Sequence, residues 1–364
     1  MIFSTIRVNS SELNEDNYVS TENMLQDYQG IVDAKSVPED VNVISFSCGD
    51  ILISNIRPYL KKVWKATYNG GCSSDVFVLK ANDNIESDYL HYVIANDKFI
   101  NFVMSGAKGV KMPRGDKKQM KTYCLSLPQI QEQKKIGKML SLLDERIATQ
   151  NKIIDKLQSL IKGIMAELQK VGAEGGTWKK VFLSEVLTER NEHNTNLYQV
   201  FSVSVSQGVV NQVDYLGRSF AAKDTSKYNV AHYGDLVYTK SPTGSFPYGI
   251  VKQSLNSQKV AVSPLYGVYV PNSLAVGVYL HEYFMSEINT HNYLHPLIQK
   301  GAKNTINITN QRFLENCVLL PININELLQI SKLLRSLNNK IKYQQDILQQ
   351  YHKQKQYLLR QMFI

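Results

Sequence analysis

The chain has 364 residues, 43% of them apolar, and a formal net charge of +9 at pH 7. That length suits two or three domains with real cores, and the absence of any run of 18 apolar residues argues against a membrane-spanning helix. Met1–Arg7 lacks the basic lead and apolar stretch of a signal peptide. The four cysteines, Cys48, Cys72, Cys124 and Cys317, stand far apart without a C-x-x-C pair, so they are expected to be buried thiols of a cytoplasmic protein rather than a disulfide frame or a zinc site.

In chain order, residues 1–128 read as a mixed α/β block. Asp50–Ser54 and Val76–Lys80 are short and apolar-rich, as strands are, and Asp88–Met104 carries helical spacing. Residues 129–171 follow as a long helix. Its heptad runs Ile136, Leu140, Leu143, Ile147, Gln150, Ile154, Leu157 and continues through Ile161, Ile164 and Leu168, which is on the order of 50 Å of helix at about 1.5 Å per residue. Residues 172–321 form a second mixed block, with strands expected at Asp235–Tyr238 and Tyr266–Val270 and helical spacing over Val278–Ile298. Residues 322–364 close the chain as a second long helix, with Ile330, Leu334, Leu337, Ile341, Gln344, Leu348 and Tyr351 on its seam and Lys355 interrupting it.

The two halves repeat one plan. The second heptad follows the first at an offset of 194, with a lone glutamine in the same slot of each. Gly49-Asp50-Ile51-Leu52 answers Gly234-Asp235-Leu236-Val237, Tyr89-Leu90-His91 answers Tyr279-Leu280-His281, and Gly106-Ala107-Lys108 answers Gly301-Ala302-Lys303. Matches in the same order with a slowly drifting offset indicate duplication. The first block starts late: it lacks a counterpart to Trp178 and Leu183-Ser184-Glu185-Val186, so either that strand is absent or another segment fills its place. The expected fold is therefore α/β (α+β), two similar mixed domains separated by two long helices that form an antiparallel coiled coil. In such a pair Gln150 and Gln344 lie near the middle, where a hydrogen bond between them would set register.

Charge is concentrated on the helices. Residues 1–128 hold 14 basic and 15 acidic side chains, whereas residues 322–364 hold 7 basic and 2 acidic. Local clusters say more than the total. Arg57, Lys61, Lys62 and Lys65 interleave with Tyr59 and Trp64, and a second cluster holds Lys98, Lys108, Lys111, Arg114, Lys117, Lys118 and Lys121. Segregated basic residues favour a nucleic-acid face. In the second block Arg218, Lys240 and Thr243 join Lys303, Asn304, Thr305, Asn307 and Asn310, where amides and hydroxyls suit base edges and lysines suit phosphates. Catalytic signatures do not occur: there is no phosphate loop and no G-x-S-x-G elbow. His291 and His295, four apart, lack the glutamate of H-E-x-x-H.

This order of blocks and helices resembles the specificity subunit of Type I restriction–modification systems. The residues that carry the resemblance are Leu127-Pro128-Gln129-Ile130-Gln131-Glu132-Gln133-Lys134-Lys135-Ile136, Leu142-Leu143-Asp144-Glu145-Arg146-Ile147, Tyr18–Met24, Gly49–Pro58 and Met112–Asp116. The second helix departs from it, with Asn325-Glu326-Leu327 where the family usually has Glu-Gln. The resemblance implies two target recognition domains, each reading half of a bipartite, asymmetric site in double-stranded DNA, and helices that set the gap and dock two methyltransferase subunits. It also implies restriction subunits joining the complex, and S-adenosylmethionine, ATP and Mg²⁺ bound by those partners, with no cofactor, metal or catalytic residue in this chain. The alternative classes are a two-lobed enzyme, which would methylate or cut DNA alone, and a protein-interaction scaffold, which would bind a methyltransferase without DNA selectivity.

Overall fold

The computed structural model describes residues 2–125, 127–300 and 306–363. The chain divides into two compact units, residues 1–152 with 346–364, and residues 153–345. Each unit therefore holds one mixed domain and part of both long helices, Ile130–Glu174 and Ile324–Met362. Among the described residues no helix is long and apolar enough to cross a membrane.

Both domains are built on the same antiparallel four-stranded sheet. In the first, the order is Ile2–Phe3, Val76–Lys80, Ile51–Ser54, Val63–Lys65; in the second it is Leu187–Glu189, Gly267–Pro271, Leu236–Tyr238, Val251–Gln253. Ile2 thus answers Leu187, and no described strand of the first unit answers Trp178–Phe182, which pairs with Cys317–Pro321 in the second. The central strands are fully buried, as Ile51, Leu52 and Ile53 and again Leu236, Val237 and Tyr238 show.

The repeated Gly-Asp has a local reason. Gly49 and Gly234 take φ of +91° and +94°, a left-handed conformation open to glycine at little cost. The aspartate that follows turns back to accept a backbone N–H, from Ser47 at 2.8 Å in the first unit and from His232 at 2.8 Å in the second. Buried Asp50 then faces Lys80 at 3.4 Å, and buried Asp235 takes a bidentate pair from Arg190 at 2.6 and 3.0 Å.

Each helical stretch expected after the sheet divides in two. Asp88–Met104 is Ser87–Ile94 and Asp97–Ser105, because the Asn96 side chain caps the second helix through the Lys98 N–H at 2.9 Å. Val278–Ile298 likewise divides into Leu274–Tyr283, Glu287–Leu294 and a 3₁₀ turn, with Ser286 as the cap. The hairpin Phe201–Ser204 with Gly208–Asn211 was not apparent from the sequence. The thiols also differ from expectation. Cys72 is buried, but Cys48 and Cys124 are exposed and Cys317 is intermediate, since scattered cysteines follow their local surface rather than a common role.

The long helices dock against the repeated Tyr-Leu-His helix of each domain. In the first unit Gln133 is buried and its amide bonds Glu86 N–H, Asn84 O and Pro128 O. Gly137 lies so close to Asp88 that an added Cβ would sit 2.7 Å from that side chain. Asp144 accepts from the Tyr92 hydroxyl at 2.8 Å and pairs with Lys355 at 2.5 Å. Farther along the second helix, Phe363 meets the Tyr89 ring at 5.2 Å. The helices pass in opposite directions here, since Asp144 and Gly137 match Lys355 and Phe363 in reverse order. The second unit repeats the docking with other chemistry: the Asn338 amide bonds Glu282 at 2.6 Å, at the offset of 194 from Asp144. The apolar seam is less regular than its heptads suggest. Leu140, Leu143, Ile154, Ile161 and Met165 are buried, whereas Ile164 and Leu168 are only half-buried.

His91 and His281 both lie half-buried in this docking layer. Burial, then the charge of Lys355, pushes the His91 imidazole down to about 4; burial, then Lys252, pushes His281 down to about 3. Both are neutral in the folded chain at pH 7. As pH falls below the ordinary imidazole value of 6.5, the unfolded chain gains protons that the folded chain refuses until about 4 or 3. Stability should fall across that window. Denaturant midpoints between pH 7 and 4.5 should show a loss that is smaller by about 1–3 kcal/mol in a His91→Gln, His281→Gln double variant.

Candidate nucleic-acid interface

Two segments that are distant in sequence form one surface on the first unit. The turn after the central strand, Asn55–Lys62, lies beside the loop Ala107–Asp116. Arg57 N–H donates to Pro113 O at 2.8 Å, Gly115 N–H donates to Asn55 O at 3.0 Å, and Lys108 and Arg114 exchange backbone hydrogen bonds at 3.0 and 2.9 Å. Arg57 stands directly before Pro58 with φ of 49°. A residue before proline avoids the helical regions, and this conformation is strained for any residue but glycine. The surrounding bonds hold Arg57 there with its side chain exposed.

The basic residues divide by what they face. Arg57, Lys111 and Lys118 are exposed. Lys108 pairs with Asp116 at 3.1 Å while remaining 82% exposed, and Arg114 reaches Asp75 at 3.3 Å. Lys117 lies 4.8 Å over the Phe3 ring. Tyr59, Val110 and Met112 add exposed apolar surface to the same face. In contrast, Lys61 pairs with Asp97 at 2.8 Å, Lys65 pairs with Asp88, and Lys62 donates to Thr21 O at 2.6 Å while burial pushes its ammonium pKa down. Lys98 donates to Phe363 O at 2.9 Å. Trp64 packs on Phe46 and Tyr68 and belongs to the core.

The second unit also carries a left-handed basic residue after its central strand, two residues short of the position that answers Arg57. Lys240 follows the central strand with φ of 61°. Burial pushes its ammonium pKa down, and the charge of Glu189 partly opposes that. Glu189 also accepts from the Asn310 amide at 2.5 Å, so Lys240 and Asn310 converge on one carboxylate that sequence reasoning did not single out. Glu189 is near in space but 51 and 121 residues away, and only the sheet register could have revealed it. Thr243 opens a tight turn, exchanging backbone bonds of 3.0 Å with Phe246. Asn307 is exposed on a short strand paired with Gln299. Arg218 lies on the exposed turn after Gln212–Leu216, its guanidinium 4.5 Å over Phe220. Lys303, Asn304 and Thr305 fall outside the described residues. On the helices, Gln150 is buried and Gln344 half-buried. Among the described residues no group of three or more His, Cys, Asp or Glu side chains could hold a metal ion.

The family model of the Type I restriction modification DNA specificity domain matches residues 6–159. The chain is 35% identical over 119 residues to the Type I restriction enzyme MjaVIII specificity subunit of Methanocaldococcus jannaschii, covering 32% of this chain and 28% of that one. It is 33% identical over 158 residues to the putative MjaX specificity subunit of the same organism, covering 41% and 37%. The matched regions thus span about a third of those relatives. Among solved structures, the Type I restriction-modification system S subunit from M. genitalium shares the fold, with a TM-score of 0.61 and 12% identity over 99% of this chain and 96% of that one.

The division between exposed and internally paired cations has a measurable consequence. Lys111→Ala and Arg57→Asn, the latter chosen because asparagine tolerates the left-handed region, should each weaken binding to any DNA duplex. Each should also reduce the slope of log affinity against log salt by about one for every phosphate that is no longer neutralised. Lys65→Ala should leave that slope unchanged and lower stability by about 1 kcal/mol or less. Anisotropy titrations at several salt concentrations separate the outcomes.

Proposed function

We propose that the chain is a specificity subunit of a Type I restriction–modification system, a reading supported by the family model that matches residues 6–159, and that its two domains each read one half of a bipartite, asymmetric DNA site. The observation that carries this reading is one scaffold built twice with different loops. The same sheet, the same Gly-Asp turn and the same docking helix recur. The surfaces around Arg57 and Lys240 share only a strained basic residue after the central strand. A fixed frame with two unlike faces suits two unlike DNA words.

Roles follow from exposure. Arg57, Lys111, Lys118 and Arg218 neutralise phosphates and position the domains. Thr243 and Asn307 offer hydroxyl and amide groups to base edges. Asn310 is committed to Glu189, so it acts by fixing the turn that presents its neighbours. Lys303, Asn304 and Thr305 belong to the same proposed reader of the second half-site.

The helices act as the ruler between half-sites and as the docking surface for two methyltransferase subunits, through which restriction subunits join. Gln150 and Gln344 fix their register. S-adenosylmethionine, ATP and Mg²⁺ serve the partner subunits, and this chain contributes sequence choice without catalysis.

Insertion of one heptad into each long helix preserves the apolar seam and adds about 10 Å of helix. That corresponds to roughly three base pairs of DNA. Methylome sequencing of cells carrying the altered chain and its modification subunit should show both half-sites unchanged and the gap widened. An unchanged gap would overturn the ruler, and methylation without sequence preference would favour a scaffold.

A further inference from the structure

The duplicated scaffold leaves an open cleft at the same place in each domain. Gly71 N–H donates to Asn17 O at 3.1 Å in the first unit, and Ala261 N–H donates to Gln199 O at 2.9 Å in the second. Beside them Gly49 N–H donates to Ala66 O at 2.8 Å, and Gly234 N–H to Ser254 O at 2.7 Å. Between the turn before Asn17 and the turn after Ala66 lies a cavity of about 690 Å³, and between the matching turns of the second unit lies one of about 400 Å³. The cleft is therefore a product of the backbone plan, and its lining is what differs. The first is walled by Trp64 and Tyr68, half-buried rings 5.2 Å apart, and by Asp16 and Asp33. The second has Tyr198 where the first has Asp16, and its lining holds Lys259 and no acid. The basic turn Asn55–Lys62 precedes the strand Val63–Lys65 and the cleft turn follows it, so the first cleft and the exposed Arg57 lie at opposite ends of that strand.

The walls of the first cleft are tied together. Ala34 N–H donates to Glu15 O at 3.0 Å, which joins the loop carrying Asp33 to the turn carrying Asp16. Asn14 Oδ1 accepts the Asp16 and Asn17 N–H groups at 3.0 and 3.2 Å, and Asn69 Oδ1 accepts the Cys48 N–H at 2.8 Å. Those amide oxygens are engaged, so the acceptors open to a ligand are the two exposed carboxylates. Among the described residues no lysine or arginine pairs with either of them. Burial, then the charges of Asp33 and Asp16, pushes the Tyr68 hydroxyl pKa up, so both carboxylates act on that ring. We propose that the first cleft binds an organic cation, a guanidinium or an alkylammonium group seated against Trp64 and Tyr68 and balanced by Asp16 and Asp33. Aromatic faces attract such groups, and a planar, weakly hydrated guanidinium suits them well. The two carboxylates repel phosphate, and the second cleft, with Lys259 and no acid, does not take the same ligand. The volume admits the head group together with its chain. Its source is either an arginine of a partner polypeptide or a free polyamine.

Titration of the full chain with acetyl-arginine amide and with spermidine, followed by tryptophan fluorescence, should give a saturable change that weakens as salt is added. Acetyl-citrulline amide, of nearly the same shape but uncharged, should give none. Asp16→Asn combined with Asp33→Asn, at two exposed positions, should weaken cation binding by about fivefold, and Trp64→Phe should remove the signal. Tighter binding of the arginine compound supports a partner's side chain as the ligand, and tighter binding of spermidine supports a free polyamine. Absence of a saturable change with either cation would overturn the proposal, as would an equal response to the citrulline compound or unchanged affinity in the double aspartate variant. A signal that survives in Trp64→Phe would also overturn it, since it would then come from Trp178 in the other unit.

Discussion

A lysine interrupts the apolar seam of the second long helix, and the first unit is organised around its partner. Lys355 pairs with Asp144 at 2.5 Å, lies 5.6 Å over the Tyr92 ring, and keeps His91 neutral by adding its charge to the cost of burial. Asp144 is held from the other side by the Tyr92 hydroxyl. A lone ammonium in so sheltered a place is costly, whereas a paired one is tolerated only in the register that pairs it. The partners are 211 residues apart. The first unit is therefore incomplete until residues 346–364 have returned to it, and contacts of such separation are made late and slowly. What looks in the heptad like a weakened helix end is the place where the end of the chain is tied to its beginning.

The second unit solves the matching problem without an ion pair. Asn338 stands where Asp144 stands, Glu282 where Tyr92 stands, and burial pushes the Glu282 carboxyl pKa up while Asn338 bonds it. Lys252, almost fully buried, is the nearby cation, and burial pushes it down to about 8. The duplicated scaffold thus preserves the geometry of helix docking while exchanging the groups that perform it. Backbone constraints were kept more strictly than side-chain chemistry: Gly49 and Gly234 share a φ that disfavours other residues, whereas the aspartates after them take a lysine in one unit and an arginine in the other.

This difference explains what could be read from the sequence. Periodicity and turn glycines act over a few residues, so the two central strands of each sheet, the Gly-Asp repeat, the long helices and the repeat itself were legible, whereas the flanking strands Ile2–Phe3, Val63–Lys65, Leu187–Glu189 and Val251–Gln253 were not. The strand ends fell within a residue or so of expectation at Val76–Lys80 and Leu236–Tyr238. The composition of the units was not legible, because each borrows helix from the far side of the repeat. Charge clusters were half legible. Counting lysines finds Lys61, Lys62 and Lys65, but not that Asp97, Asp88 and the Thr21 carbonyl already occupy them. The same count finds Arg57 and Lys111, which the fold leaves exposed.

Left-handed backbone falls on one basic residue after the central strand of each domain, as it also does on Lys61, which is paired with Asp97. Arg57 and Lys240 each take a left-handed conformation after the central strand, although neither is a glycine. Substituting glycine would relieve the backbone at once, so the surrounding structure must offset a conformation costing on the order of 1 kcal/mol or more. In the first unit that support comes from a loop clasped by Pro113 and Gly115, and in the second Gly249 lies against the Lys240 backbone, where an added Cβ would sit 2.8 Å from the Lys240 nitrogen. Two unrelated loops thus each hold a left-handed basic residue after the central strand, exposed at Arg57 and half-buried at Lys240. On the proposed reading only the exposed Arg57 of the pair is placed to meet phosphate, and the loops around the two residues differ in the bases they read.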